Sequence, residues 1–447
     1  MEPGGKRWSR SLFAVALAVA AALLVPLSAS AQSADATLTP EGVLGARYSL
    51  VLNLVRHTAT YSPPVASRAF AYFGVIGYEA IASGRPDMAT LARQLNGLAP
   101  LPKRDSGAAY DDAVILDAAL SSASRRFFDH TGPTGQRAMK ALDDKLSPAV
   151  AGAAPQDVAE RSAAYGRALT EAVSAWADGD NTGPIENMGF PLNYSLRPGP
   201  EHWKPTSTIA QQQAPLLPDW GNARAFAMPN GASCDLPAPP AYSVDPSSQF
   251  YREAAEVRDA VDHLDAERTA IARFWSDDAM LSTTPPGHWI QVAFQLFART
   301  NPSIDRRVDL LARLGVATAD AFISCWNTKY RYDLVRPVTY IRANFNPKWT
   351  PLLITPPFPE YPSGHSTQSG AAAEVLTKAF GEDFAYEDAS HIADGLPPRQ
   401  FASFWAAAKE AAISRLYGGI HFRSAIERGL DQGRCVGGYA DALKTRM

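Results

Sequence analysis

Apolar positions recur every three or four residues along most of this chain, and strict alternation is almost absent. That rhythm predicts an all-α protein. Residues 42–180 read as helical throughout. Ser62-Pro63-Pro64 marks a helix start, with serine as cap and proline in the first turn. Val65 to Ala82 follows with apolar residues around most of its circumference, the pattern of a buried helix. Ala108 to Phe128 and Val158 to Trp176 keep the rhythm with polar outer faces. From Asp178 to about Ser248 glycine and proline recur and no periodic run survives. The aromatic and apolar residues there (Phe190, Tyr194, Trp203, Leu216, Leu217, Trp220 and Phe226) predict an ordered wrap, with an interdomain linker as the other reading. Helices resume near Gln249. Leu264 to Trp275 precedes a turn at Thr284-Pro285-Pro286-Gly287, then come His288 to Phe297 and Ser303 to Thr328. A helix from Ser366 through Phe380 and another from Arg399 through Arg415 complete the set, the last stopping at Gly418-Gly419. The expected architecture is two helical bundles in one compact domain, built from 32–180, the wrap 181–248, and 249–447.

Residues 1–31 stand apart. Lys6, Arg7 and Arg10 form a basic start, Leu12 to Leu27 an apolar stretch, and Ala29-Ser30-Ala31 a small-residue cleavage site. This is the layout of a secretory signal, so the mature protein is expected to be periplasmic or secreted, with no stable membrane insertion once the signal is removed. The formal net charge of −3 over 447 residues supports neither nucleic-acid nor anionic-membrane binding. Three cysteines (Cys234, Cys325 and Cys435) are too few for a disulfide framework and fit no zinc spacing; an oxidising compartment permits one bridge, with all three pairings open.

The stretch Tyr361-Pro362-Ser363-Gly364-His365-Ser366 reads as a helix start after a proline-rich lead. Unpaired N–H groups and the positive dipole end favour an anion there, Gly364 permits close backbone approach, and His365 titrates near neutrality. An ordinary serine-capped helix is the plainer reading. Basic residues elsewhere change the balance. Lys329 and Arg336 lie two helical turns apart, on one face if the helix continues, and Pro337 limits that continuation. Arg415 sits in the last turn of its helix, with His421 just beyond the glycine pair. The neighbours of these cations are apolar (Leu334, Val335, Leu416, Ile420), and cations held in such surroundings need an anionic partner. One lysine, two arginines, a serine hydroxyl and a glycine amide can surround a tetrahedral oxyanion, leaving one histidine to attack or ligate its centre and the other to transfer protons. His57, His202, His288 and His391 stay off this candidate site.

Three motifs carry a resemblance. Lys-x6-Arg-Pro (Lys329 to Pro337), Pro-Ser-Gly-His (Pro362 to His365) and Ser-Arg-x5-His (Ser414 to His421) form the signature of the phosphatidic acid phosphatase type 2 / vanadium haloperoxidase superfamily. The lead Pro356-Pro357-Phe358-Pro359-Glu360-Tyr361, Trp326, and Phe274-Trp275 followed by acids resemble the haloperoxidase branch, strongly over about 265–425. The resemblance implies that Lys329, Arg336, Ser363, Gly364 and Arg415 hold vanadate oxygens and that His421 is the protein ligand on vanadium. His365 is implied as acid–base partner, and Asp278 as the acid pairing with Arg415, with Asp277 as fallback. Trp326 and Phe358 line the halide side or are plain core aromatics. The family often carries an Asp four residues after the ligand histidine. Ala425 stands there, and Glu427 is the nearest substitute. The implied activity is vanadate-dependent oxidation of halide by hydrogen peroxide to hypohalous acid, with a small organic acceptor as a further partner. The same residues suit two alternatives: an exported metal-free acid phosphatase using a phospho-His421, or a non-catalytic helical scaffold with a degenerate site. Halide preference and oligomeric state are not written in the sequence.

Overall fold

The computed structural model describes residues 38–182, 187–207 and 212–447, so the 1–31 segment lies outside the described residues. Thirteen α-helices occur among the latter. They are α1 (Pro40–Arg56), α2 (Pro63–Ala82), α3 (Asp112–Phe127), α4 (Pro133–Gly152), α5 (Gln156–Asp178), α6 (Gln249–Asp262), α7 (Ala266–Phe274), α8 (Thr284–Thr300), α9 (Ile304–Tyr332), α10 (Pro337–Asn344), α11 (Gly364–Phe380), α12 (Phe404–Tyr417) and α13 (Arg423–Asp441). One short antiparallel pair, β1 (Tyr386–Asp388) and β2 (Arg399–Phe401), aligns Tyr386 with Phe401 and Asp388 with Arg399. Helices α1, α2, α4 and α5 pack around α3, and α8, α9, α12 and α13 pack around α11. The 29-residue α9 joins the two groups, touching α2 in the first and α11 and α13 in the second.

Small residues let the helices close on one another. In α2 a Cβ added at Gly74 would lie 2.8 Å from the Leu311 carbonyl oxygen of α9. In α13, Gly429, Gly433 and Gly437 recur at one-turn intervals and face α11. A Cβ at Gly437 would lie 2.6 Å from Glu374 Cβ, and one at Gly433 would press into the Thr367 carbonyl oxygen. This stripe brings the start of α11 and the start of α13 together.

The structure departs from the sequence expectations in four places. Residues 83–111 are not helical. Pro86, Pro100 and Pro102 break the pattern, and the segment instead bonds to distant backbone: Ala89 N–H donates to Thr445 O at 3.1 Å and Asn96 N–H to Phe226 O at 2.8 Å. Thr284-Pro285-Pro286-Gly287 is the first turn of α8 rather than a turn before it, because proline suits the opening positions of a helix. Arg399 belongs to β2; the helix starts at Phe404, where Ser403 Oγ accepts from Ala406 N–H at 3.1 Å. Finally, Ser62 stands at the N-cap of α2 but its hydroxyl makes no cap bond.

The wrap is ordered where it is described. Trp203, Leu216, Trp220 and Phe226 are buried. Trp203 N–H donates to Asp333 O and Leu216 N–H to Pro357 O, each at 2.8 Å, so the segment lies directly on the backbone that carries the basic motifs. A disulfide joins Cys234 of the wrap to Cys435 of α13, and Cys325 is a buried free thiol.

Helix closure through the glycine stripe predicts opposite outcomes within α13. Gly433→Ala overpacks the α11 contact and is expected to cost about 1–3 kcal/mol. Gly438→Ala, where nothing lies within 4 Å, is expected to gain up to about 1 kcal/mol from helix propensity. Urea unfolding of the two variants measures both; equal effects would show that the stripe does not set the packing.

Candidate oxyanion site

Three chain reversals build the site. The first follows α9. Lys329 lies in its last turn, and Asp333 ends it in a left-handed conformation (φ 50°) with its N–H on Lys329 O at 2.8 Å. Arg336 is the N-cap of α10 and Pro337 its first residue. Lys329 and Arg336 therefore do not share a helix face, contrary to expectation: the chain turns between them, and they meet because both reach the 358–362 lead. The second reversal ends at Ser363, the N-cap of α11, whose Oγ accepts from Ser366 N–H at 3.3 Å. Its N–H donates to Ala425 O at 3.0 Å, fixing the α11 start against α13. The third follows α12: Arg415 lies in the last turn, Gly419 takes a positive φ (78°), and His421 comes two residues later, just ahead of α13.

The side chains converge without protein counterions to match. Lys329 Nζ donates to Pro359 O (3.0 Å), Glu360 O (2.9 Å) and Pro362 O. Arg336 donates through Nε to Phe358 O (2.8 Å) and through Nη1 to Ile420 O (2.9 Å), with Nη1 3.2 Å from His421 Nε2. Arg415 Nη1 donates to Trp275 O at 2.7 Å. All three cations are buried. Burial pushes both guanidinium groups down to about 10, which leaves them charged at neutral pH. It pushes Lys329 down to about 7, while three carbonyl acceptors work the other way by matching the three N–H donors of an ammonium.

Glu360 is the functional residue that sequence reasoning passed over. It is fully buried, and its Oε1 accepts from His421 Nδ1 (2.9 Å) and Phe422 N–H (2.8 Å). Burial raises its pKa to about 8 against the pull of Arg336 and Lys329. The His421 pKa falls well below its usual value, first through burial and then through Arg336, Lys329 and Arg415. The ring is therefore neutral. Nδ1 faces a carboxyl group and Nε2 faces a guanidinium N–H, which assigns the proton to Nδ1 and the lone pair to Nε2. The carboxyl support missing at Ala425 thus comes from Glu360. Glu427 does not supply it: that residue is exposed and pairs with Arg423 at 3.8 Å. An acid set in an otherwise apolar proline-rich lead was the available signal.

Four buried polar atoms of these residues lack a protein partner: Arg336 Nη2, Arg415 Nε, His365 Nε2 and Glu360 Oε2. Unmet donors on two arginines, beside three cations and a helix start, fit a tetrahedral oxyanion. An added Cβ at Gly364 would meet only ordinary contacts, at 3.6 Å from Phe322 and Trp326, so packing within the protein does not demand glycine there. Burial and the Arg415 charge hold His365 well below its usual pKa, as a neutral ring. Phe358 and Trp326 pack ring to ring at 4.9 Å, with Lys329 Nζ 5.2 Å from the Phe358 centroid and Arg336 Cζ 4.9 Å from it.

Asp278 does not form the expected ion pair. Burial raises its pKa, Arg415 attracts it from a distance, and Arg415 bonds the Trp275 carbonyl instead. The fallback Asp277 adopts φ 48° and turns its carboxylate away, to His288 Nδ1 at 2.9 Å and His391 Nε2 at 3.3 Å. His288 and His391, both set aside from the sequence, are buried here.

A solved structure described as the first bacterial vanadium-dependent iodoperoxidase matches this chain at 36% identity, over 91% of this chain and 97% of that one, with a TM-score of 0.83. The chain belongs to the vanadium haloperoxidase family. A family model described as the VCPO second helical-bundle domain matches residues 309–447, the part of this haloperoxidase that holds all three motifs. A holo-type bacterial vanadium-dependent chloroperoxidase shares the fold at 17% identity (TM-score 0.68, 87% of this chain and 92% of that one). The vanadium chloroperoxidase of Curvularia inaequalis is 24% identical over 35% of this chain, and the match spans about a third (36%) of that protein's length.

Lys329 and Glu360 make anion capture depend on pH with one sign. As pH rises through about 7 to 8, Lys329 loses positive charge and Glu360 gains negative charge, and both changes repel an anion. Sulfate, a dianion throughout this range, is expected to bind roughly tenfold more weakly above it than below. Calorimetry at a series of pH values tests this. Lys329→Met should flatten the profile, and Lys329→Met with Glu360→Gln should remove what is left.

Proposed function

We propose that this haloperoxidase binds vanadate at the oxyanion site and oxidises iodide with hydrogen peroxide to hypoiodous acid. The observation that carries the reading is the pair of unmet buried donors, Arg336 Nη2 and Arg415 Nε, on guanidinium groups that hold His421 neutral, with Arg336 directly beside its Nε2. Bound vanadate supplies a Lewis-acidic centre that activates hydrogen peroxide toward halide without changing its own oxidation state.

The residues divide the work by their chemistry. Lys329, Arg336 and Arg415 neutralise the oxyanion. Ser363 keeps its O–H as a donor, because its oxygen is what caps α11, and Gly364 offers a first-turn N–H. His421 Nε2 is the ligand atom, held in the required tautomer by Glu360. His365, neutral and with Nε2 unpartnered, takes up or releases a proton at that atom. Asp278 offsets part of the Arg415 charge. Trp326 and Phe358 give halide and any organic acceptor a dry, polarisable wall beside Lys329. Iodide is favoured as substrate because the relative sharing 36% identity is described as an iodoperoxidase.

The working location in this reading is outside the cytoplasm. The 1–31 pattern and the Cys234–Cys435 bridge support it, since disulfides persist in oxidising compartments. Among the described residues no helix is long and apolar enough to cross a membrane.

Two measurements test the proposal. Protein purified free of phosphate and loaded with orthovanadate should oxidise iodide while phosphate-ester hydrolysis, assayed in parallel, stays absent. No oxidation of iodide, bromide or chloride at any vanadate loading would sink the reading, and His421→Ala should abolish the activity. Glu360→Gln is expected to weaken vanadate binding about 10–100-fold by equilibrium dialysis; unchanged affinity would mean that Glu360 does not position His421.

A further inference from the structure

Asp277, His288 and His391 come from three separate segments: the α7–α8 loop, the first turns of α8, and the β1–β2 loop. All three are buried. We propose that they bind one divalent first-row metal ion, zinc by ligand chemistry, at a site distinct from the oxyanion pocket.

Asp277 stands at ligand spacing from each histidine: its Oδ1 lies 3.2 Å from His288 Nδ1 (Oδ2 2.9 Å) and 3.3 Å from His391 Nε2, and one atom from each residue falls within 4.8 Å of the other two. Ligands at ~2.0–2.1 Å around a tetrahedral ion are separated by ~3.3 Å. His391 is only 6% exposed, yet its Nε2 makes no well-aligned hydrogen bond, its nearest acceptor contact being Asp277 Oδ1 at 3.3 Å.

The outer contacts fit as well. His288 Nε2 meets Asp388 Oδ2 at 2.8 Å, and His391 Nδ1 meets Asp394 Oδ2 at 2.9 Å. Each imidazole meets a carboxylate through its far nitrogen and presents its other nitrogen to Asp277, the usual arrangement around a histidine on a metal. Asp394 is itself paired with Arg56. The two imidazoles stand at right angles with centroids 4.8 Å apart, and Trp275 stacks on His288 at 4.7 Å, closing that side.

The ion would tie the β1–β2 loop and α8 to Asp277. That residue lies two positions after Trp275, whose carbonyl accepts from Arg415, so the metal would brace one wall of the oxyanion site without touching it.

Metal analysis of the whole mature chain, purified without a metal-affinity tag and dialysed after zinc loading, tests the site. About one zinc per chain is expected, with a thermal midpoint a few degrees higher than after EDTA. Cobalt in place of zinc should give visible ligand-field bands that the metal-free protein lacks. His391→Gln should lose the metal and His421→Ala should keep it, which separates this site from vanadate binding. Substoichiometric zinc with a midpoint indifferent to zinc and EDTA would overturn the proposal, leaving a cluster held by protons alone. Zinc lost in His421→Ala but kept in His391→Gln would overturn it equally.

Discussion

Three cations buried around one imidazole set the terms for the rest of this structure. Lys329, Arg336 and Arg415 have carbonyl oxygens for partners and no carboxylate in direct contact. Burying a cation this way costs several kcal/mol unless an anion completes it. The surrounding fold holds the cost in place. Lys329 is anchored by three carbonyls of the lead, Arg336 by the lead and Ile420, and Arg415 by Trp275, so none can swing out to solvent. The protein is in this sense pre-shaped for an anion, and the two neutral histidines follow from the same field. A ring withdrawn from water beside positive charge gives up its proton, which leaves the His421 Nε2 lone pair facing the Arg336 guanidinium.

The helix packing explains how loops with so many prolines and glycines hold such a site. Gly429 in α13 faces Ser363 and Ser366, and Gly433 faces Thr367, so the α13 backbone lies directly on the first turn of α11. That contact lets Ala425 O accept the Ser363 N–H and places His421, just ahead of α13, against Glu360, just ahead of Ser363. A larger residue in the stripe would separate two segments that must meet within hydrogen-bond distance. Fold and site are coupled at this crossing more directly than through the motif residues themselves.

Much of the site could be read in the chain because its residues are unusual where they occur: a Pro-Ser-Gly-His start, and basic residues among apolar neighbours. Helical periodicity likewise gave the fold class, since apolar faces must be buried whatever their partners. What periodicity does not carry is where the chain turns. The run from Lys329 to Arg336 keeps a helical rhythm, yet Asp333 takes a left-handed conformation, because Leu334 and Val335 pair with the wrap at His202 and Glu201. Residues 83–111 and 399–401 fail for the same reason: distant backbone offers better hydrogen bonds than the local helix does. His288 and His391 looked ordinary because their partners, Asp277, Asp388 and Asp394, are assembled by tertiary contact alone.

Ala425 shows the same principle within the site. A short side chain where the family resemblance leads one to expect an acid reads as a lost function if sequence position is the criterion. The physical requirement is different. The Nδ1–H of His421 needs an acceptor, so that Nε2 keeps its lone pair, and that acceptor must survive among three cations without a salt bridge to any of them. Glu360 meets both conditions. Its Oε1 is committed to His421 and Phe422, and its backbone oxygen, not its carboxyl group, accepts from Lys329. The carboxyl group that lies within 3 Å of this ring belongs to the lead, about sixty residues before the histidine. Position in space is what the chemistry holds constant, and at this ring it is satisfied from the lead rather than from α13.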